Sequence, residues 1–141
     1  MQTISPELRA FLLAGTRTAK LATVRADGQP HVVPIWFLLD GGTIVFTTGL
    51  ASVKARNIKR DHRVSLCVDD ELPPFSFATI EGTAQLIEPN HKELKAWATR
   101  IAGRYMGENR SEAYGLRNSV EGEILVRITP TKIIFQRDIA N

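Results

Sequence analysis

The sequence predicts a mainly β fold of the α+β kind: a small barrel of six to seven mostly antiparallel strands with flanking helices at its ends. Short segments rich in Val, Ile, Thr and Phe recur along the chain, separated by the turn-forming residues Gly, Pro, Asp and Asn. Few segments have helical periodicity. The chain has 141 residues, no internal repeat and no linker-like stretch, so we expect one domain over residues 1–141.

The N-terminal part is predicted to be a short helix followed by three strands. Ser5 is a good N-cap and Pro6 suits the first helical position, so a helix is expected to begin here and to end near Gly15. Turn residues at 26–29 and 40–42 indicate two hairpins. The three expected strands are residues 20–25, 30–39 and 43–48. Together they predict a three-stranded antiparallel meander.

Two further helices are predicted in the middle of the chain. Ser52 is the expected N-cap of a short basic helix over residues 52–60, with Val53 and Ile58 facing inward. Asn90 and Glu93 have capping-box spacing and begin a longer helix that ends near Gly107. This longer helix has one apolar stripe, which includes Trp97 as a core or dimer contact: Leu94, Trp97, Ile101 and Tyr105. A short helix is also expected over residues 111–116.

The remaining strands are predicted from apolar runs. They are residues 64–68, 75–87, 123–129 and 131–137. Gly82 lies inside the longest run and is expected to mark a bend, because glycine within a strand often accompanies a bulge. Pro130 is expected to separate the last two strands.

The sequence lacks the motifs of several common classes of binding site and enzyme. The phosphate-binding loops G-x-x-x-x-G-K-[ST] and G-x-G-x-x-G are absent from the sequence, as is the nucleophile elbow G-x-S-x-G. His31, His62 and His91 have no metal-ligand spacing, so we expect no metal site. Cys67 is the only cysteine, which excludes an internal disulfide and gives no sign of an oxidising compartment.

Composition also indicates the cellular compartment and the binding partners to expect. No apolar run approaches the ~20 residues that span a bilayer, and the first residues lack the basic region of a secretion signal. We therefore expect a cytoplasmic protein without a membrane partner. Five basic residues nevertheless cluster between residues 54 and 63, within a net charge of +3. Such a cluster suits nucleic acid, an anionic surface or a phosphorylated ligand.

The segment from Gly49 to Asn57 is the strongest candidate for a binding site. A helix start offers unpaired backbone N–H groups to an anion, and Ser52 adds a hydroxyl. Lys54 places a cation at the end of the helix that is already positive, which is unfavourable unless an anion binds there. The alternative interpretation is a solvated basic face.

A second unusual segment surrounds Pro34. Proline cannot donate a hydrogen bond to a sheet, so this strand is expected at an edge or a bulge. Trp36 beside it provides a large flat surface. The segment either faces a planar ring or is an edge strand with a core tryptophan.

Taken in order, several segments resemble the pyridoxamine 5′-phosphate oxidase-like split-barrel proteins, whose fold is the FMN-binding split-barrel type. The resemblance covers nearly the whole chain. It is carried by residues 19–24, 27–34, the spacing Ser52-x-Lys54-x-x-Asn57, and residues 61–68, 81–84 and 128–133. It implies a homodimer with two cofactor sites at the interface, each lined by both subunits.

The resemblance also implies which residues contact the cofactor. The segment with Ser52, Lys54 and Asn57 would hold the phosphate, while the other segments would flank the ring system. The implied cofactor-binding residues are Pro34, Ile35, Trp36, Thr47, Thr48, Ser52, Val53, Lys54, Ala55, Arg56, Asn57, Phe77, Ala78 and Thr79.

The same resemblance suggests a cofactor and a reaction. The chain ends at Asn141, without the C-terminal extension in which true pyridoxamine phosphate oxidases carry substrate-binding residues. The S-x-K-x-x-N spacing is similar to the branch that uses the deazaflavin coenzyme F₄₂₀, whose acidic tail suits Lys59, Arg60 and Arg63. The expected activity is hydride transfer between F₄₂₀ and an unsaturated small molecule, without a protein nucleophile.

Other functions remain open at this stage. FMN is the alternative cofactor, and a non-catalytic carrier or sensor of FMN, deazaflavin or haem is the alternative function. Nucleic-acid binding is not expected, because Val53 and Ile58 are predicted to attach the basic helix to the core instead of exposing it as a broad charged face.

Overall fold

Four helices and seven strands make up the computed structural model, which describes residues 3–141. The helices are α1 (Pro6–Leu12), α2 (Val53–Arg60), α3 (His91–Met106) and α4 (Glu108–Arg117). The strands are β1 (Ala19–Val24), β2 (Pro30–Ile35), β3 (Leu38–Asp40), β4 (Thr43–Gly49), β5 (Arg63–Asp70), β6 (Ser76–Ile87) and β7 (Glu123–Gln136). In this part of the chain, no helix combines the length and apolar character needed to cross a membrane.

Three of the helices begin at the polar residues predicted from the sequence. The side chains of Ser5, Ser52 and Asn90 each accept a hydrogen bond from the backbone N–H three residues later, at 3.1, 3.2 and 2.8 Å. Each bond satisfies one of the N–H groups that a helix start leaves without a partner. The fourth helix, α4, has no side-chain cap and is longer than the predicted segment 111–116.

The strands form one antiparallel sheet with the order β2-β1-β5-β6-β7-β4-β3. The predicted hairpin between β1 and β2 is confirmed. The predicted meander is wrong, because the expected strand 30–39 breaks at Trp36 and Phe37. The chain then passes from β2 at one edge of the sheet to β3 at the opposite edge.

The break coincides with contacts from α3, which is distant in the sequence. Pro34 has no N–H to donate, and the N–H of Phe37 donates to the hydroxyl of Tyr105 at 3.2 Å instead of to a strand. The carbonyl of Phe37 accepts from Arg104 Nη1 at 2.9 Å. Two side chains of α3 therefore replace the strand partner at this point.

The last two predicted strands are one continuous strand, β7, so the predicted separation at Pro130 is wrong. Pro130 stays in the strand because it pairs with Gly82 where the register shifts, which is a β-bulge. The predicted bend at Gly82 is thereby confirmed. A Cβ atom at Gly82 would lie 2.6 Å from the carbonyl oxygen of Thr129, so only glycine fits this close approach.

Two apolar clusters stabilise the fold. The larger lies on the inner face of the sheet and includes Phe37, Phe46 and Ile80, all fully buried. The smaller attaches α3 to β4 and β7 through Val45, Leu94, Trp97 and Leu125. The predicted core role of Trp97 is confirmed by this contact.

Candidate cofactor-binding site

A cavity of about 290 Å³ lies between the end of β2, the end of β4 and the start of α2, with α3 beside it. The crossover at Trp36 and Phe37 makes this possible, since β2 and β4 are well separated in the sheet order. Six of the fourteen residues proposed from the sequence line the cavity: Pro34, Ile35, Trp36, Thr47, Thr48 and Lys54.

Trp36 is held in place by contacts from α3. Its ring is stacked on the ring of Tyr105, with centroids 5.1 Å apart and an interplanar angle of 4°. The hydroxyl of Tyr105 bonds in turn to the backbone of Phe37 and of Arg17, at 3.2 and 2.9 Å. Burial raises the pKa of Tyr105, so the hydroxyl keeps its proton and can donate to the carbonyl of Arg17. Trp36 is therefore a fixed wall of the cavity.

The start of α2 is fixed just as closely. The hydroxyl of Ser52 accepts from the N–H of Ala55 and lies 3.1 Å from the hydroxyl of Thr48. No acidic residue occupies the first turn of α2. The N–H groups of Val53 and Lys54 have no intrahelical acceptor, as at any helix start. The positive end of the helix dipole at this wall is thus not neutralised by its own helix.

Lys54 and Glu123 are the two charged residues that line the cavity. Burial lowers the pKa of the Lys54 ammonium, and the charge of Glu123 partly opposes the shift. Burial likewise raises the pKa of the Glu123 carboxyl, and Lys54 partly opposes it. Within residues 3–141, neither side chain makes a hydrogen bond or an ion pair shorter than 4 Å. The cavity therefore holds two incompletely compensated charges.

Other proposed residues of α2 lie elsewhere. Asn57 is buried, with its amide nitrogen donating to Thr23 Oγ1 at 3.0 Å and its amide oxygen accepting from Arg60 at 3.1 Å. Ala55 is fully buried in the larger core. These two side chains attach α2 to the sheet and do not line the cavity. Arg56 is exposed.

The predicted inward orientation of Val53 is wrong, whereas that of Ile58 is confirmed. Val53 is 37% exposed and Ile58 is fully buried. Val53 occupies the first position of α2, and the buried residues Ala55 and Ile58 belong to the face of the helix that packs on the core. At 3.6 residues per turn, Val53 lies on the side of the helix opposite Ala55.

The proposed residues of β6 do not line the cavity either. Ala78 is fully buried in the larger core. Phe77 and Thr79 are only partly buried and lie on the other face of the sheet, since successive side chains of a strand alternate. A role for them in cofactor binding stays a prediction.

Four other residues of the cavity were missed by sequence reasoning: Ala98, Ile101, Asn118 and Glu123. Ile101 belongs to the apolar stripe predicted for α3, and Ala98 follows Leu94 of that stripe by one helical turn. Such a stripe predicts burial but not a cavity. Glu123 enters because it pairs with Gly49 across β4 and β7. No local pattern indicates a pairing between positions so far apart in the sequence.

The sequence resembles that of a curated reductase over part of its length. A 5a,11a-dehydrotetracycline/5a,11a-dehydrooxytetracycline reductase of Streptomyces rimosus subsp. rimosus is 37% identical over 84 residues, which cover 54% of this chain and 59% of the reductase. The chain thus spans well under two thirds of that relative.

Two solved structures extend the likeness to the whole fold. A conserved hypothetical protein from Mycobacterium tuberculosis has a TM-score of 0.82 at 26% identity, covering 100% of this chain and 89% of its own. A protein described as an F₄₂₀ reductase has a TM-score of 0.73 at 28% identity, covering 92% and 98%. The split-barrel fold predicted from the sequence is confirmed. The family model described as pyridoxamine 5′-phosphate oxidase matches residues 4–137, and the protein therefore belongs to that family.

Proposed function

We propose that the protein is an oxidoreductase that binds coenzyme F₄₂₀ in this cavity and transfers a hydride between it and an unsaturated small molecule. The observation that carries the proposal is Lys54, a partly buried cation without an ion pair or hydrogen-bond partner in the described residues, at the open start of α2. Burying a charge is costly unless a partner compensates it. A cofactor phosphate is such a partner.

The residues at the start of α2 fit a phosphate. The first N–H groups of a helix and its dipole both favour an anion. Lys54 adds a charge-assisted hydrogen bond, and Ser52 brings a hydroxyl to the same helix start. Asn57 supports the site indirectly, because its bond to Thr23 fixes the helix against β1.

The opposite wall fits a planar ring. Pro34, Ile35 and Trp36 provide apolar surface, and Thr47 and Thr48 provide hydroxyls. The bound cofactor would supply the hydride, while the protein orients the ring and excludes water. No protein nucleophile is needed for this chemistry.

We further propose that a second copy of the chain completes the site as a homodimer. Pairing in the sheet places Pro34, Lys20, Cys67, Thr79 and Ile134 in one row on its outer face. Val32, on the same face, is 64% exposed, and Ile134 is 39% exposed. Packing of two such faces would bury these side chains and bring Phe77 and Thr79 of one copy to the cavity of the other.

F₄₂₀ is preferred to FMN for two reasons. The protein described as an F₄₂₀ reductase shares the fold over nearly the full length of both chains. In addition, a second depression containing Leu50 continues from the cavity past Gly49 and Glu123. Leu50 also borders a groove lined by Lys59 at one position and Glu88 at another, and we propose that Lys59 contacts the acidic tail of F₄₂₀ there. The relative that reduces a dehydrotetracycline supports an unsaturated substrate.

Binding titrations of Lys54→Met test the proposal. We expect the variant to weaken F₄₂₀ binding about 10- to 100-fold, because a charge-assisted hydrogen bond contributes about 1.5–3 kcal/mol. Lys92→Met is the matched control: Lys92 is also the second residue of its helix, but it is exposed and outside the cavity. Equal affinities for the two variants would remove Lys54 from the site.

A second pair of titrations separates the two cofactors. Lys59→Met should weaken F₄₂₀ binding several-fold and leave FMN binding within twofold, since FMN has no acidic tail. Tighter binding of FMN by the wild type would reject F₄₂₀ as the cofactor. Bound F₄₂₀ that, once reduced, is oxidised by no unsaturated acceptor would instead indicate a carrier.

A further inference from the structure

Glu123 is an acidic residue in a cavity that is proposed to bind an anion. Its carboxylate lines the same cavity as Lys54, at the point where a phosphate is proposed to bind. A second negative charge there would repel the ligand. An ionised Glu123 therefore lowers the affinity of the cavity for an anion.

The backbone holds Glu123 at the cavity. Glu123 pairs with Gly49, the last residue of β4. The backbone N–H of Glu123 donates to the carbonyl of Val120 at 3.1 Å. The preceding residue, Gly122, accepts from the N–H of Leu50 at 2.7 Å and has a φ of 93°, in a region that favours glycine. The start of β7 is thereby attached to the segment that leads into α2, and these bonds keep the backbone of Glu123 beside the cavity.

We propose that Glu123 takes up a proton when the anionic cofactor binds beside Lys54, so that the affinity of the site for its cofactor rises as the pH falls. The inference rests on the proposed function, since it requires an anionic cofactor at Lys54. It makes Glu123 a residue that sets the pH range of binding.

The groups that face Glu123 favour this behaviour. From α2 the one charged group at the cavity is Lys54. The residues of β2, β4 and α3 that line the cavity have no titratable side chain, and Asn118, which follows α4, is uncharged. Glu121, on the same turn as Glu123, is exposed and lines the adjacent depression. Lys54 is therefore the main group that keeps Glu123 ionised.

The sign of the effect follows from this pairing. Burial already raises the pKa of the Glu123 carboxyl, and Lys54 opposes that rise. An anion that binds to Lys54 cancels the opposing charge and adds repulsion, so the pKa of Glu123 rises further in the complex. A group whose pKa is higher in the complex strengthens binding below its free pKa. The gain is lost as the pH rises through its pKa in the complex.

The test compares the wild type with Glu123→Gln in F₄₂₀ and FMN titrations between about pH 5.5 and pH 8.5. Glutamine keeps the shape of the side chain but cannot ionise. At the alkaline end we expect Glu123→Gln to bind about tenfold more tightly than the wild type, and the ratio of the two affinities should fall towards one as the pH falls. The ratio of the two proteins cancels the titration of the cofactor phosphate itself, because both proteins bind the same ligand.

Glu112→Gln is the matched control. It removes the same charge at an exposed position of α4 that lines neither the cavity nor the adjacent depression, so it should change the affinity less than twofold and retain the pH dependence of the wild type. Calorimetry in two buffers of different ionisation enthalpy measures the net proton uptake on binding. The difference between the wild type and Glu123→Gln isolates the contribution of Glu123, and we expect more uptake by the wild type.

The outcomes separate the two proposals. If neither F₄₂₀ nor FMN binds to the wild type at any pH, the proposed function is wrong and the role of Glu123 falls with it. If a cofactor binds but the ratio of affinities is the same at every pH, or the wild type takes up no more protons than Glu123→Gln, only the role of Glu123 is overturned.

Discussion

The helices α2 and α3 begin in the same way and have different surroundings. Each follows a polar N-cap that accepts from the third N–H, Ser52 in α2 and Asn90 in α3. Each has lysine as its second residue. However, α3 carries Glu93 in its first turn, whereas α2 carries no acid there. Lys92 is exposed, whereas Lys54 is partly buried in a cavity.

The difference shows what distinguishes a candidate anion site from an ordinary helix start. In α3 the first turn neutralises its own dipole with Glu93, so nothing further is needed. In α2 the corresponding compensation is missing, and a lysine increases the positive charge. An external anion bound there, as we propose, would supply the negative charge that Glu93 supplies in α3.

The first prediction concerns the hydrogen bond from Asn57 to Thr23, which attaches α2 to β1. Asn57→Ala leaves the buried hydroxyl of Thr23 without its donor, so we expect the free energy of unfolding to fall by about 1–3 kcal/mol, measured by urea denaturation. Asn109→Ala, at an exposed position of α4, is the control and should change it by less than about 0.5 kcal/mol. Unchanged stability with a large loss of cofactor affinity would mean that Asn57 contacts the ligand instead.

The second prediction compares the two caps. Ser52→Ala and Asn90→Ala should each lower the free energy of unfolding by about 1 kcal/mol, because each removes the acceptor of one N–H. Only Ser52→Ala should also weaken cofactor binding, since its hydroxyl lies beside Thr48 at the cavity. Equal binding by both variants would place the ligand away from Ser52.

The third prediction makes α2 resemble α3. Val53→Glu introduces an acid into the first turn of α2 at a partly exposed position, so it should raise the free energy of unfolding by about 0.3–1 kcal/mol at low ionic strength. The same charge should weaken cofactor binding several-fold, and added salt should reduce both effects. Glu93→Gln is the reciprocal control in α3, expected to lower stability without changing affinity. A Val53→Glu protein that binds cofactor more tightly would contradict the assignment.

Features that depend on neighbouring residues could be predicted from the sequence. The caps Ser52 and Asn90 and the hairpin between β1 and β2 are settled within a few residues, by side chains that bond to the adjacent backbone. The crossover at Trp36 and Phe37 could not be found in this way, because Tyr105 and Arg104, far along the chain, replace the strand partner of Phe37.

The residues of the candidate site also fall into two groups, those that the local sequence indicates and those that depend on distant contacts. Lys54 and Trp36 stand out locally, as a cation at a helix start and a flat ring beside a proline. Glu123 does not, because its place at the cavity depends on pairing between β4 and β7. The helix spacing of Asn57 resembles that of a ligand contact, and only its bond to Thr23 shows that the side chain faces the sheet.

The crossover has a consequence for how the barrel opens. β2 and β3 are the two free edges of the sheet, joined through two residues of chain and by no ladder of hydrogen bonds. The cavity touches the end of β2 on one side of this seam and β4, the neighbour of β3, on the other. A cofactor bound in the cavity, as we propose, would contact both sides of this seam. We expect its binding to slow amide hydrogen exchange on both sides together.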